Sequence, residues 1–302
     1  MSRRTKNREA SISLFIDVPA IKIQRVEIDG QVLRVAIKRG DLRKPPLLIC
    51  NGLGANLELV EPLARALTDI ETVLFDVPGV GESPRPKRPY RFKTLARLAD
   101  RMMAALGYGG AIDVMGVSWG GALAQQIART WGRHRCRRLV LAATVAGGMM
   151  IPGRWKAITK LMNPRRYTDR DYLTRVAKDI YGGAVADDPS VIPRFAAHME
   201  SPDPRGYLYQ QLAMFGWTSV RWLPSLRQPA LVLSGKKDPL VHPINARLLA
   251  LLIPRSQLEL VDDGHLFVLT SPSVIPMITR FLGYHPSEER SHATQRRLAT
   301  PS

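Results

Sequence analysis

Residues 112–130 read IDVMGVSWGGALAQQIART, and the fold of the whole chain turns on how they are divided. The opening IDVMGV is short, apolar and β-branched, the composition of a strand buried on both faces. The closing GALAQQIART carries apolar residues at helical spacing. Between them lies Gly116-Val117-Ser118-Trp119-Gly120, a G-x-S-x-G pattern that predicts a sharp strand-to-helix turn with Ser118 exposed at its apex. An apex serine has a strained backbone, and side chains two residues before and after it would crowd the turn. Glycine at 116 and 120 removes them. The helix that follows aims unpaired N–H groups and its positive dipole end at charge developing on a substrate. Five residues alone recur by chance; the strand before and the helix behind make the signal specific.

Working outward, short β-rich runs alternate with helix-length segments. PLLIC (46–50), TVLFDV (72–77), RLVLAA (138–143), ALVLSG (230–235) and QLELV (257–261) read as strands, and 57–67, 94–106 and 121–130 as helices. A hairpin precedes them, with IKIQRVEI and QVLRVAIK flanking Asp29-Gly30, a dipeptide suited to positive φ in a two-residue turn. This alternation predicts an α/β protein with a mostly parallel sheet covered by helices on both faces. One interval breaks the rhythm. Residues 149–228 exceed what a single crossover helix uses, and turns such as Met162-Asn163-Pro164 and Ser201-Pro202-Asp203-Pro204 divide them, so they are expected to form an inserted helical cap. The core is then 21–148 with 229–285, between a basic disordered arm (1–20) and a polar disordered tail (286–302).

An elbow serine needs a base, and the base needs an orienting carboxylate, in the chain order Ser, Asp or Glu, His. His265 follows the last strand, where the carboxyl edge of the sheet lies; His285 and His292 fall in the tail, and His242 is only four residues past Asp238. Asp238 follows the strand ALVLSG and is the expected acid. Asp262 and Asp263 are so near His265 in sequence that shaping its turn suits them better. An oxyanion hole needs two N–H donors: Trp119, after the nucleophile, and Leu53, in the Asn51-Gly52-Leu53-Gly54 loop that follows PLLIC. Such chemistry requires no metal and no organic cofactor. Zinc-type Cys/His spacing and a Walker motif are absent, and Asp76-Val77-Pro78-Gly79-Val80-Gly81-Glu82-Ser83 lacks the full dinucleotide fingerprint and reads as a turn.

The 302 residues are 45% hydrophobic and 23% charged, which excludes wholesale disorder. The net charge of +18 implies attraction to something anionic without choosing among nucleic acid, lipid headgroups and acidic proteins. The Arg133-His134-Arg135-Cys136-Arg137-Arg138 run reads as a solvated basic surface, with anion or interface binding as the alternative. Cys50 and Cys136 sit in apolar runs as buried free thiols, so a reducing compartment is expected. No apolar run reaches the ~20 residues of a transmembrane helix. The N-terminal MSRRTKNREASISLFIDVPA has too short an apolar stretch for a secretory signal, and secretion is not expected. The cap aromatics Trp155, Tyr172, Tyr181, Tyr207, Tyr209, Phe215, Trp217 and Trp222 are expected mostly to pack, with some lining a cleft.

Taken together, NGLGANLELV, FDVPGVGES, PYRF, GVSWGGALAQQ, LVLAAT, NPRRY, IYGG, GWTS and DDGHLF resemble the intracellular medium-chain-length poly(3-hydroxyalkanoate) depolymerases of the α/β-hydrolase superfamily. The resemblance runs from about residue 21 to 284 and includes cap segments. It implies an α/β-hydrolase fold, with Ser118 as nucleophile, Asp238 as acid and His265 as base, the residues already reached from the pattern. Relatives that synthesise the polymer use cysteine at the nucleophile position, so Ser118 favours hydrolysis. Asn51 stands where many lipases have histidine. The expected protein is a cytoplasmic serine esterase acting on polyester storage granules. Basic residues of the arm (Arg3, Arg4, Lys6, Arg8) and of the 133–138 run would hold it at an anionic granule surface or to granule proteins; nucleic acid is the disfavoured partner. The alternatives are a carboxylesterase or lactonase for small soluble esters, and a granule scaffold or nucleic-acid binder that has lost catalysis, which an intact triad argues against.

Overall fold

In a computed structural model the chain is described over residues 20–148, 150–163, 165–193 and 203–284. The expected arm (but for Ala20) and tail, with Arg3, Arg4, Lys6 and Arg8, lie outside the described residues. Eight strands form one sheet: β1 (Ile21–Ile28), β2 (Gln31–Lys38), β3 (Leu47–Cys50), β4 (Thr72–Phe75), β5 (Ile112–Val117), β6 (Cys136–Ala142), β7 (Ala230–Gly235) and β8 (Ser256–Val261), in the order β1-β2-β4-β3-β5-β6-β7-β8. The β1–β2 hairpin turns at Asp29 and Gly30, both at positive φ (52° and 75°), and β2 pairs antiparallel with β4. From β4 onward every pairing is parallel.

Central strands bury both faces, and their alternate residues separate into two cores. Leu48, Cys50, Val114, Leu139, Leu141 and Val232 pack on one side, under α2 (Phe92–Ala105) and α3 (Trp119–Arg135). Leu47, Ile49, Met115, Val140, Ala142 and Leu231 pack on the other, under α1 (Leu57–Ala66). This is the two-sided burial that continuous apolar strands require. Helix α3 begins earlier than its spacing suggested, because the turn at Ser118 feeds straight into it, and it breaks at Gly132 (φ 70°, ψ 179°).

Between β6 and β7 lie α4 (Trp155–Met162), α5 (Arg165–Thr168), α6 (Arg170–Tyr181), α7 (Gly183–Asp187) and α8 (Pro204–Met214). Ala157, Leu173, Ala177, Ile180 and Val185 give these helices a core of their own, which also takes in Leu240 and Val241 from beyond β7. Three helices follow: α9 (Ile244–Leu252), α10 (Phe267–Thr270) and α11 (Val274–Phe281). Close backbone contacts seat the insertion. A Cβ at Gly153 would lie 2.0 Å from the Leu240 carbonyl oxygen, and one at Gly183 would lie 1.9 Å from the Gly264 nitrogen.

The basic run is more deeply engaged than a solvated face. Arg135 donates to Asp100, Arg137 pairs with the buried Asp113 and donates to the Leu282 carbonyl, and Arg138 stacks over Phe281. Arg133 and His134 are exposed. Sequence spacing could not show this, since the partners come from α2, β5 and α11. Among the described residues no helix is long and apolar enough to cross a membrane. Cys50 and Cys136 are buried free thiols.

Candidate active site

Six parallel strands, β3 to β8, end at one edge of the sheet, where their loops converge as ligand-binding loops of such sheets do. The elbow follows β5. Ser118 takes φ 54° and ψ −118°, a left-handed conformation that non-glycine residues rarely adopt. It is held from several sides: its amide donates to the Ala142 carbonyl at 2.9 Å, and its carbonyl accepts from Gly121 N and from Thr144 Oγ1. A Cβ at Gly116 would meet the Gly120 carbonyl oxygen at 2.2 Å. At Gly120 the reason for glycine differs from the expected one. Its absent side chain faces the carbonyl oxygens of Cys50 and Asn51, at 2.1 and 2.4 Å, so it lets α3 rest against the end of β3 rather than relieving the serine. Gly121 packs in the same way on Thr144.

Asp238 follows β7 and His265 follows β8, and the fold brings them together. His265 Nδ1 lies 2.8 Å from Asp238 Oδ2, with both side chains almost wholly buried. The other carboxylate oxygen accepts the amides of Leu240 and Val241 at 2.8 and 2.9 Å, which fixes the carboxylate plane. An ionised carboxylate only accepts hydrogen bonds, so this contact places the imidazole proton on Nδ1 and leaves Nε2 with its lone pair. The His265 amide donates to the Tyr181 carbonyl at 2.6 Å, so the last residue of α6 positions the histidine loop.

The neighbouring acids are differently employed. Asp263 accepts from the amides of Ala184 and Gly264 and from the hydroxyls of Thr270 and Ser271, and these bonds hold its carboxyl below the usual carboxylate range despite burial. Asp262 is exposed, with Lys237 at 3.5 Å.

The loop after β3 is braced from within and from the cap. Asn51 donates to the Asn56 carbonyl and accepts from the Gly52 amide, and Gly54 N donates to Gln210 Oε1 of α8 at 2.7 Å. The same glutamine's carbonyl accepts the Trp119 indole N–H at 2.8 Å. One cap residue thus ties the loop carrying Leu53 to the helix opened by Trp119, whose first-turn amides have no intrahelical acceptor. No signal in the sequence marks Gln210, because the contact spans 156 positions. Asp76 anchors the DVPGVGES turn by accepting the amides of Leu57 and Glu82; burial pushes its carboxyl up to about 7, against the pull of those bonds and of Arg34.

Two cavities meet at Ser118. One, about 70 Å³, is lined by Leu53, Leu161, Arg166, Tyr181, Leu240 and His265. The other, about 570 Å³, is lined mainly by apolar groups, including Val145, Met162, Met214, Phe215 and Val241. Ser118, Leu53 and Leu161 belong to both. Of the cap aromatics, Tyr181 and Phe215 line these spaces and Trp217 and Trp222 pack against each other, but Trp155 and Phe215 are 76% and 87% exposed.

A strand-helix elbow after β5 at one sheet edge, with an acid and a histidine delivered from the ends of β7 and β8, defines a hydrolase of the α/β fold. Residues 45–272 match the α/β hydrolase fold family, and the chain belongs to it. Within that family it is 48% identical over 270 residues to the poly(3-hydroxyalkanoate) depolymerase of Ectopseudomonas oleovorans, covering 89% of this chain and 93% of that one. Lipase 1 of Psychrobacter immobilis is 24% identical over 76% of this chain and 74% of its own. The fold matches the enol-lactonase of Burkholderia xenovorans with a TM-score of 0.73 at 22% identity, covering 86% of this chain and 99% of that one.

Proposed function

We propose that this α/β hydrolase depolymerises intracellular poly(3-hydroxyalkanoate) through a Ser118–His265–Asp238 triad. The observation that carries the reading is the buried 2.8 Å contact between Asp238 and His265 at the sheet edge that also holds Ser118, in a chain 48% identical to a depolymerase of that polymer. Ser118 Oγ attacks the ester carbonyl carbon while His265 Nε2 takes its proton. The leaving alkoxide receives that proton, and an acyl-enzyme remains. Water then attacks the acyl-enzyme with His265 again as base, releasing the acid and restoring Ser118. Asp238 orients the imidazole and stabilises its cation. The amides of Leu53 and Trp119 receive the oxyanion.

The larger cavity suits alkyl side chains, with about 0.8 kcal/mol per buried methylene favouring medium-length over methyl side chains. The place of action is the cytoplasmic granule surface, where basic residues contact anionic groups. The test is acid release by purified protein from amorphous medium-chain granules, short-chain granules and p-nitrophenyl esters, with Ser118→Ala in parallel. Wild-type protein is expected to release acid fastest from medium-chain granules, and the variant to fold but lose essentially all turnover. Hydrolysis of p-nitrophenyl esters without acid release from any granule would replace this reading with that of a small-ester hydrolase.

A further inference from the structure

The buried face of α8 carries one side chain that packing alone does not call for. Gly206, Gln210 and Ala213 fall at i, i+4 and i+7 of that helix and are all buried, and Gln210 is only 1% exposed. An amide in such a place destabilises the fold unless it is hydrogen-bonded. Its partner is backbone of the loop after β3: Gln210 Oε1 accepts the Gly54 N–H at 2.7 Å. Only the oxygen of a side-chain amide can meet a donor, so its orientation is fixed. Helix α8 is itself held in place. One turn earlier, a Cβ at Gly206 would lie 1.9 Å from the Gly79 carbonyl oxygen, and the Gln210 carbonyl accepts the Trp119 indole N–H.

The loop that Gln210 holds runs beside the nucleophile, since a Cβ at Gly52 would lie 3.7 Å from Ser118 Cβ. It turns tightly, with the Ala55 amide donating to the Gly52 carbonyl at 3.3 Å and Gly54 at φ 69°. Glycines at 52 and 54 leave such a turn conformationally permissive. Two side chains restrict it. Asn51 Oδ1 accepts the Gly52 amide at 2.8 Å and so fixes the peptide plane joining 51 and 52. Gln210 fixes the plane joining 53 and 54. The plane between them carries the Leu53 N–H. We infer, on the reading of Leu53 and Trp119 as oxyanion donors, that Gln210 is a positioning residue by which the inserted cap completes the oxyanion hole. Ester hydrolysis does not in itself require an amide on a cap helix. A hole built from the β3 and β5 loops requires its donors to be fixed before charge develops, and a donor displaced by about 1 Å loses about a hundredfold in rate.

The test is Gln210→Met, which keeps length and bulk but cannot accept the Gly54 N–H. With p-nitrophenyl octanoate, kcat should fall about ten- to a hundredfold while KM stays within about threefold, because the oxyanion exists in the transition state and not in the bound ester. Inhibition separates this role from bracing. The trifluoromethyl ketone 1,1,1-trifluoro-2-decanone adds to the serine as a hemiketal oxyanion, and 2-decanone binds without adding. The variant should lose affinity for the fluoroketone by the factor lost in kcat/KM and keep its affinity for 2-decanone. Ala213→Gly, a change on the same buried face, should lower the melting temperature and leave fluoroketone affinity unchanged. A second readout needs no variant: in the wild type, the fluoroketone should slow hydrogen exchange in both 51–56 and 204–214 beyond the effect of 2-decanone. Equal fluoroketone affinity in wild type and Gln210→Met, a loss confined to KM, or protection limited to 51–56 would make Gln210 a brace of the cap and overturn the inference, with the triad left standing. Failure of the fluoroketone to inhibit the wild type would remove the serine and oxyanion reading, and this inference with it.

Discussion

Replacing Asp238 by asparagine tests the proposed triad at its most constrained point. The Oδ1 position of Asp238 accepts two backbone amides, from Leu240 and Val241, at 2.8 and 2.9 Å. An asparagine must keep its carbonyl oxygen there, because turning the amide would set NH₂ against two N–H donors. Its NH₂ is then forced toward His265 Nδ1, at the 2.8 Å contact now made by a carboxylate oxygen. A donor at that place requires Nδ1 to accept and moves the imidazole proton to Nε2, the nitrogen that should take the proton of Ser118. The base is present but in the wrong tautomer, a change that costs a triad about 10⁴-fold in kcat, or about 5.4 kcal/mol of barrier. The assay is steady-state hydrolysis of p-nitrophenyl octanoate, with circular dichroism to establish folding. Asp262→Asn should stay within about twofold of wild type, as an exposed surface change. Asp263→Asn should lower stability by about 1–3 kcal/mol, because its carboxylate is buried and multiply bonded. An Asp238→Asn enzyme retaining a tenth of wild-type kcat would refute the reasoning.

Gly120→Ala should cut activity about a hundredfold and lower the melting temperature, because the new methyl would lie 2.1 Å from the Cys50 carbonyl oxygen, a backbone atom that cannot rotate away. Gly109→Ala, with nothing within 4 Å of its Cβ position, should change neither. Lys38 is wholly buried, donates to the carbonyls of Leu67 and Thr68, and is lowered by burial from 10.5 to about 8. The unfolded chain therefore binds the extra proton between about pH 8 and 10.5, and stability from this group rises with pH across that window, by about 3 kcal/mol at most. Urea midpoints from pH 7 to 10.5 should show the rise in the wild type and lose it in Lys38→Met; identical pH profiles would refute it. Burial pushes the Cys50 and Cys136 thiols up, so a thiol reagent should leave activity unchanged and label both only in denaturant.

Local pattern was enough to read the elbow, the strand runs and the Asp29-Gly30 turn, because each depends on neighbours within a few residues. A strand buried on both faces must be continuously apolar, and a turn at positive φ must favour glycine or aspartate. The positions of Ser118, Asp238 and His265 were legible for a related reason: in a parallel sheet every strand end returns to the same edge, so a residue just past a strand is already placed. Chain order could not reveal that β4 lies between β2 and β3, nor that α9 and α11 complete the two helical layers. Three further features were decided by tertiary structure alone. Gly120 is required by the carbonyls at the end of β3, Arg137 is drawn to a carboxylate on β5, and Gln210 joins a loop and a helix of the site from across the cap. Arg166 belongs with them. In sequence it is one basic residue among 44, and only the folding of α5 over the sheet edge turns that charge into part of the wall beside Ser118. Such contacts depend on which surfaces are pressed together, and hydrophobic periodicity says which face of an element is buried without saying against what.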